Sequence, residues 1–291
     1  KWPYFDRYNG KDHVFLFSQG HGAKLIGNKE NFHHISNSLF ITVNGEVSEY
    51  YRPYHDIIIP VFVSKEITSI TSNAIKKNDV FFQGAVKFHT PSYSNGVRQY
   101  IFKHFDNLEK WLLIERTEPL DDQLFEEFQQ NMRSSTFCLC PEGIHAFTPR
   151  IIESIHANCI PVIITDFQHL PYEKYIPYEQ FSIFVNTIDV SILPSIIQSY
   201  TIKDIEHKQL LMKQYVHDIT YHSDSDKIIE KDAIFHLLQE LNNYAKSLRE
   251  NNVNFIKAIN NRQQNTVKTN ILYTSSNSDT EKLHLIINFL I

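Results

Sequence analysis

The chain has 291 residues, 42% hydrophobic and 21% charged, with a formal net charge of −5 at pH 7, a globular mixture sized for one large domain or two small ones. Its 28 basic and 33 acidic residues leave no basic excess for nucleic-acid binding, and no apolar run reaches the roughly 18 residues of a membrane span. Only eight glycines occur where average usage of about 7% gives about 20, and neither G-x-G-x-x-G nor G-x-x-x-x-G-K-[ST] is present, which excludes the common glycine-rich phosphate cradles.

Short apolar runs alternate with helical patterns along the chain. The runs predict strands at HVFLF (13–17), SLFIT (38–42), DIIIPVF (56–62), DVFFQG (79–84), KWLLIE (110–115), TFCLC (136–140), IPVIIT (160–165) and FSIFV (181–185). Several are continuously apolar, as strands covered by helices on both faces are. Helices are expected at GVRQYIFKHF (96–105), DQLFEEFQQNMR (122–133), PRIIESIHA (149–157) and EKDAIFHLLQELNNYAKSLRE (230–250). This alternation predicts an α/β protein with mostly parallel sheets. The stretch ERTEPLDD suggests a division into two lobes near 117–121, with a cleft between them. Residues 261–280, rich in Asn, Thr, Ser and Gln, read as a connector, and LHLIINFLI (283–291) as a strand or packed end.

The densest chemistry lies in 136–166. Thr148 suits an N-cap and Pro149 a first helical residue, which places Arg150 and Glu153 one turn apart on one helix face. A helix start with an arginine in its first turn binds phosphate without glycine, and Glu153 can accept from sugar hydroxyls. A solvated Arg–Glu pair is the alternative. A second strand–loop–helix unit places Arg98 after a cap at Ser94 or Asn95; with Lys87 it forms either half of a phosphate clamp or a solvent-facing pair. Near the N-terminus, Asp12 and His13 suit a general base with a histidine's ordinary pKa near 6.5, or a pair that pins a turn. The three cysteines lack common zinc spacing, and SDSD (223–226) reads as a solvated turn. No G-x-S-x-G, H-E-x-x-H or N-x-[ST] motif occurs.

SSTFCLCPEG (134–143) with TPRIIESIHANCIPVIITDFQHLPYE (148–173) resembles the signature block of the exostosin family of glycosyltransferases. NGKDHVFLF (9–17), YHDIIIP (54–60), FFQG (81–84), SNGVRQ (94–99), FSIFV (181–185) and KDAIFHLL (231–238) resemble its other blocks, in order. The resemblance implies a GT-B fold of two Rossmann-like lobes and inverting sugar transfer from a UDP-linked donor to a glycan or glycoprotein acceptor, with no cofactor or metal. It implies an acceptor-side lobe over 1–118, a nucleotide-sugar lobe over 119–225, a C-terminal helix over 226–260 packing back on the lobes, and a tail over 261–291. Because the chain starts at Lys1, the first lobe reads as truncated, with a membrane anchor expected upstream. A Golgi-lumenal setting and a dimer, with itself or with another glycosyltransferase, are implied as well.

The same resemblance assigns donor contacts to Arg98, Arg150 and Glu153; Lys87 and Gly143 are expected beside them on the donor side, and the base is expected at His13 with Asp12 as fallback. It pairs Cys138 with Cys159 and leaves Cys140 as the odd thiol. Two departures stand out: Gln83 replaces the usual arginine of F-F-R-G, and Glu142 adds a negative charge near the donor. They favour a rival reading, an exostosin-like domain that binds glycans or stabilises a partner without catalysing transfer.

Overall fold

A computed structural model describes residues 4–48, 50–63, 74–116, 121–166, 168–222 and 229–250. The segments 223–226 and 261–291, and most of the expected division at 117–121, lie outside these residues. The chain divides into a unit over Lys1–Thr220 and one over Tyr221–Ile291. In the second, Ala233–Glu250 forms the expected long helix, and the Asp232 carboxylate accepts from the Phe235 N–H at 2.8 Å as its cap.

The first unit holds two all-parallel sheets. One has the order β1 (Val14–Phe17), β2 (Leu39–Thr42), β3 (Ile57–Ile58). Every residue of β2 is buried, whereas β1 alternates, exposing Val14 and Leu16 and turning Phe15 and Phe17 inward. Those two rings meet Phe40 edge-on at 6.2 and 5.2 Å, and helix α1 (Lys29–Ile35) adds Phe32 to the cluster. Asn28 caps α1 by accepting from the Asn31 N–H at 2.7 Å.

The second sheet contains β4 (Asn78–Gly84), β5 (Trp111–Glu115), β6 (Ser135–Pro141), β7 (Ile160–Ile164) and β8 (Ile183–Val185) in the order β5-β4-β6-β7-β8. The helices between strands are α2 (Val97–Phe105), α3 (Asp122–Arg133), α4 (Arg150–His156) and α5 (Tyr178–Phe181), followed by α6 (Leu193–Gln198) and α7 (Ile202–Tyr215). Helix α3 turns Phe125, Phe128 and Met132 toward Phe81 and Cys138 on the sheet, the spacing of one amphipathic face. These paired parallel sheets have the GT-B type of architecture, two Rossmann-like α/β lobes.

Their boundary differs from the expected one. Strand β4 pairs with β6 on one side and β5 on the other, so the division between sheets falls after β3 rather than at 118/119. The cause is register: β4 lies between β5 and β6, opposite Trp111–Glu115 on one side and Phe137–Cys138 on the other. The run DIIIPVF contributes only two strand residues, because Pro60 has no N–H for a ladder and ends the pairing.

Lys76 closes the back of the second sheet, donating to the carbonyls of Arg133, Ser135 and Asn158 at 2.9, 2.9 and 2.8 Å. Lys76→Met keeps the apolar stem but removes three hydrogen bonds, leaving the Asn158 carbonyl only the Gln209 side chain at 3.3 Å, and is expected to cost about 2–3 kcal/mol. A chemical-denaturation midpoint measures the loss.

Candidate active site

In a parallel open sheet, ligands bind at the carboxyl ends of the strands, where the strand order reverses. In the five-stranded sheet this point lies between β4 and β6, since the chain winds outward from β4 to β5 and then back to β6. The β4–α2 loop and the β6–α4 loop meet there. The Ser94 hydroxyl donates to the Glu142 carbonyl at 2.7 Å, its N–H donates to the Gly143 carbonyl at 3.0 Å, and the Asn95 side chain donates to the Glu142 carboxylate. These contacts hold Ser94, Asn95 and Gly96 in three successive left-handed conformations. Gly96, and neither Ser94 nor Asn95, therefore occupies the cap position of α2.

The structure brings Arg98 and Arg150 together at this switch point and gives them different surroundings. Both lie over the Phe82 ring, with guanidinium carbons 5.3 and 4.9 Å from its centroid. Arg98 is buried and donates to the carbonyls of Ala85, Pro141 and Glu142 and to the Tyr93 hydroxyl at 2.9–3.1 Å. Four of its five N–H donors are therefore committed to the protein, and burial, with Arg150 adding to it, lowers its pKa to about 10. Gly143 packs against it: a β-carbon there would lie 3.2 Å from Nη2.

Arg150 is only partly buried. Its Nε and Nη2 donate to the Gln83 carbonyl at 3.1 and 2.7 Å, and its Nη1 donates to the Thr148 hydroxyl at 3.2 Å. Two N–H donors remain without a partner among the described residues. Gly84 makes this placement possible, since a β-carbon there would come within 2.6 Å of Nη2. Thr148 thus holds the arginine side chain instead of capping α4, whose N-cap is Pro149. Glu153 stands one turn on, partly buried, and makes no ion pair with Arg150; burial holds its pKa above the usual carboxylate range, against the pull of Arg150. Gln83, 3% exposed, has neither side-chain polar atom hydrogen-bonded among the described residues. Lys87 is exposed at the rim, its ammonium 4.8 Å from the Tyr93 ring centroid.

Glu142 stands beside these groups. Burial and the nearby Asp166 and Glu46 raise its pKa, while hydrogen bonds to Asn95 and Thr165 oppose the rise.

A second group, absent from the sequence-based candidates, forms where the carboxyl ends of the two sheets meet. Lys24 donates to Glu46 at 2.7 Å and lies 3.4 Å from His145 Nδ1. The Ala146 N–H donates to the other Glu46 oxygen at 3.2 Å, and the exposed His21 packs edge-on to His145 at 4.8 Å. Burial and the Lys24 charge keep the pKa of His145 below its ordinary value. The Asn44 side chain donates to the Gly20 carbonyl at 2.7 Å, and Gly45 lies so close to His169 that a β-carbon would meet its carbonyl oxygen at 2.2 Å. No spacing rule reveals this group, because Glu46 and Ala146 lie 100 residues apart. A histidine at a strand's carboxyl end, as in SQGHG after β1, was the one available signal.

Asp12 and His13 are not part of this arrangement. They pair with each other at 2.9 Å where β1 begins, and the His13 ring packs on Phe5 at 5.0 Å. A four-residue strand at about 3.3 Å per residue puts them roughly 13 Å from the carboxyl end of β1. A disulfide joins Cys138 to Cys159, and Cys140 is a buried free thiol whose pKa burial pushes up to about 12. Among the described residues, no group of three or more His, Cys, Asp or Glu side chains is placed to hold a metal ion, and no helix is long and apolar enough to cross a membrane.

Comparison with known proteins agrees with the fold. Residues 1–200 match the Exostosin GT47 domain family. The chain is 26% identical over 244 residues to a "Probable glycosyltransferase" of Arabidopsis thaliana, covering 82% of this chain and 44% of that protein. It is 28% identical over 229 residues to a "Probable glucuronosyltransferase" of Oryza sativa subsp. japonica, covering 73% and 50%. A "Probable glucuronoxylan glucuronosyltransferase" of Arabidopsis thaliana is 28% identical over 216 residues, covering 68% and 46%. The chain thus spans about half the length of these relatives. With the family's domain matched over two-thirds of its residues and parallel sheets converging on the matched loops, the chain belongs to the exostosin GT47 family of glycosyltransferases.

Proposed function

We propose that this chain transfers a sugar from a UDP-linked donor to a glycan or glycoprotein acceptor, with inversion at the anomeric carbon. The observation that carries the reading is Arg150, which is fixed at the switch point by three hydrogen bonds and keeps two N–H donors free. Those donors suit the diphosphate leaving group, whose growing negative charge a preformed guanidinium stabilises. Arg98, already committed to main-chain carbonyls, shapes the loops and contributes its charge at short range. The Glu153 carboxylate and the unpartnered Gln83 amide supply polar groups for the rest of the donor.

The acceptor hydroxyl then attacks from the side of the first sheet. Of the group at that face, Lys24 and Glu46 are engaged with each other and the nitrogens of His145 are enclosed. We therefore assign the base to the exposed His21 in preference to His13, which faces the other end of β1. His21 takes the hydroxyl proton as the oxygen bonds to the anomeric carbon and the bond to the diphosphate breaks. In this reading no metal or cofactor takes part, because the guanidinium meets the leaving-group charge. An oxidising, Golgi-lumenal setting is part of the same proposal, supported by the Cys138–Cys159 bridge.

The partly buried Glu142 beside the arginines favours the second reading, a glycan-binding or partner-stabilising domain without turnover. A panel of nucleotide sugars separates the two, with the product anomer read by NMR. Transfer from at least one UDP-sugar with inverted configuration is expected. Oligosaccharide binding with no turnover across the panel establishes the second reading instead.

A further inference from the structure

Away from the arginines, an open groove of about 690 Å³ runs between α2 and the edge strand β5. Phe88, Tyr100 and Leu113 form its apolar surface; Gln99, Lys103 and Glu115 line it with polar groups. Phe88 is 49% exposed and Tyr100 36% exposed, so two aromatic side chains stand open to solvent along one channel. Each is held from behind: Phe88 packs edge-on to Phe102 at 6.4 Å, and Tyr100 lies against His104 at 4.3 Å. Gln99 is fixed by donating to the carbonyls of Lys87 and Thr90 at 3.3 and 3.1 Å, and its own side-chain oxygen is buried.

Rigid, exposed rings alternating with hydrogen-bonding groups match the two sides of a pyranose, an apolar C–H face and a rim of hydroxyls. The charges narrow the ligand further. Lys103 faces two carboxylates, Asp106 and Glu115, so the groove presents no excess of positive charge for a phosphate or an acidic polymer. An apolar peptide helix would leave these charges buried and unpaired. Glu115, the last residue of β5, lines the groove at the carboxyl end of that strand.

We infer that this groove binds a neutral stretch of the acceptor glycan several sugar units long, beyond the reacting hydroxyl. The ligand class rests on the glycosyl-transfer reading; the groove itself does not.

The test is calorimetric titration of the full chain with neutral xylan- and glucan-type hexasaccharides, the corresponding disaccharides, an oligogalacturonide as the acidic probe, and UDP. At least one neutral hexasaccharide is expected to bind roughly tenfold or more tighter than its disaccharide. Phe88→Ser and Tyr100→Ala should each weaken that binding roughly tenfold, while Phe88→Trp, which keeps a ring, retains it. UDP binding should be unchanged in all three. If Phe88→Ser loses UDP binding too, its fold is damaged and Tyr100→Ala decides. The inference is overturned if no neutral hexasaccharide binds, if the acidic probe binds more tightly, or if Tyr100→Ala binds the hexasaccharide as wild type does. Loss of UDP affinity in an Arg150 variant is a separate result, so donor site and groove stand or fall independently.

Discussion

Arg150→Ala is expected to weaken UDP and UDP-sugar binding by about 100-fold or more in calorimetry. The two N–H donors that Arg150 keeps free would each form a charge-assisted bond to a phosphate oxygen, worth about 1.5–3 kcal/mol. Arg150→Lys retains the charge but loses the planar fork and the stacking over Phe82, and should recover only part of the affinity. The effect on stability should be smaller than for Arg98, since only one carbonyl and one hydroxyl lose their bonds to the guanidinium. Arg98→Ala should behave in the opposite way. It strands the carbonyls of Ala85 and Pro141 in a buried setting and leaves that of Glu142 only the Ser94 hydroxyl, so unfolding rather than selective loss of donor affinity is expected. Equal UDP affinity in wild type and Arg150→Ala, with the fold intact by circular dichroism, would remove Arg150 from the donor site.

Removing the Cys138–Cys159 bridge is expected to cost about 3 kcal/mol, the chain-entropy value for closing a loop of about 20 residues. The bridge ties β6 to the residue before β7 and lies within the core formed by Phe81, Phe128 and Met132. A Cys138→Ser, Cys159→Ser double variant should therefore unfold at markedly lower denaturant concentration. Because β6 leads directly into the loop carrying Gly143 and His145, UDP affinity should fall with it when measured near the transition. Cys140 does not substitute for either partner. A buried thiol with a pKa of about 12 holds almost no thiolate at neutral pH, so disulfide exchange through it should be undetectable by mass spectrometry. A double variant with wild-type stability would show that packing, rather than the covalent link, sets the register of β6 and β7.

Much of the architecture was legible in the chain itself. All eight expected strands form, because continuously apolar runs such as IPVIIT have no stable alternative to burial between helix layers. The helices α2, α3, α4 and the C-terminal one also follow their patterns. Helix α7 escaped notice although Thr201 and Asp204 form a capping box at its start. Its apolar residues do not line one face: Met212 is buried, while Ile202 and Leu210 are largely exposed. Helix α1 is only seven residues long, and its two histidines read as polar surface.

Residue types and local order were thus settled by the sequence: a glycine-poor α/β chain, arginines just after helix starts, and cysteines on adjacent strands. Tertiary structure decided what those residues do. Strand pairing sent β4 and β5 to the second sheet and so moved the division between the sheets. Hydrogen bonding committed four of the five Arg98 donors to the protein and left Arg150 with two unused, a distinction that depends on which carbonyls lie near each fork. Strand direction separated His13 from His21, since the two ends of a parallel strand face different surroundings. The few glycines also have places that only the tertiary structure shows: backbone or arginine comes too close for a β-carbon at Gly84 and Gly45, and the backbone is left-handed at Gly96.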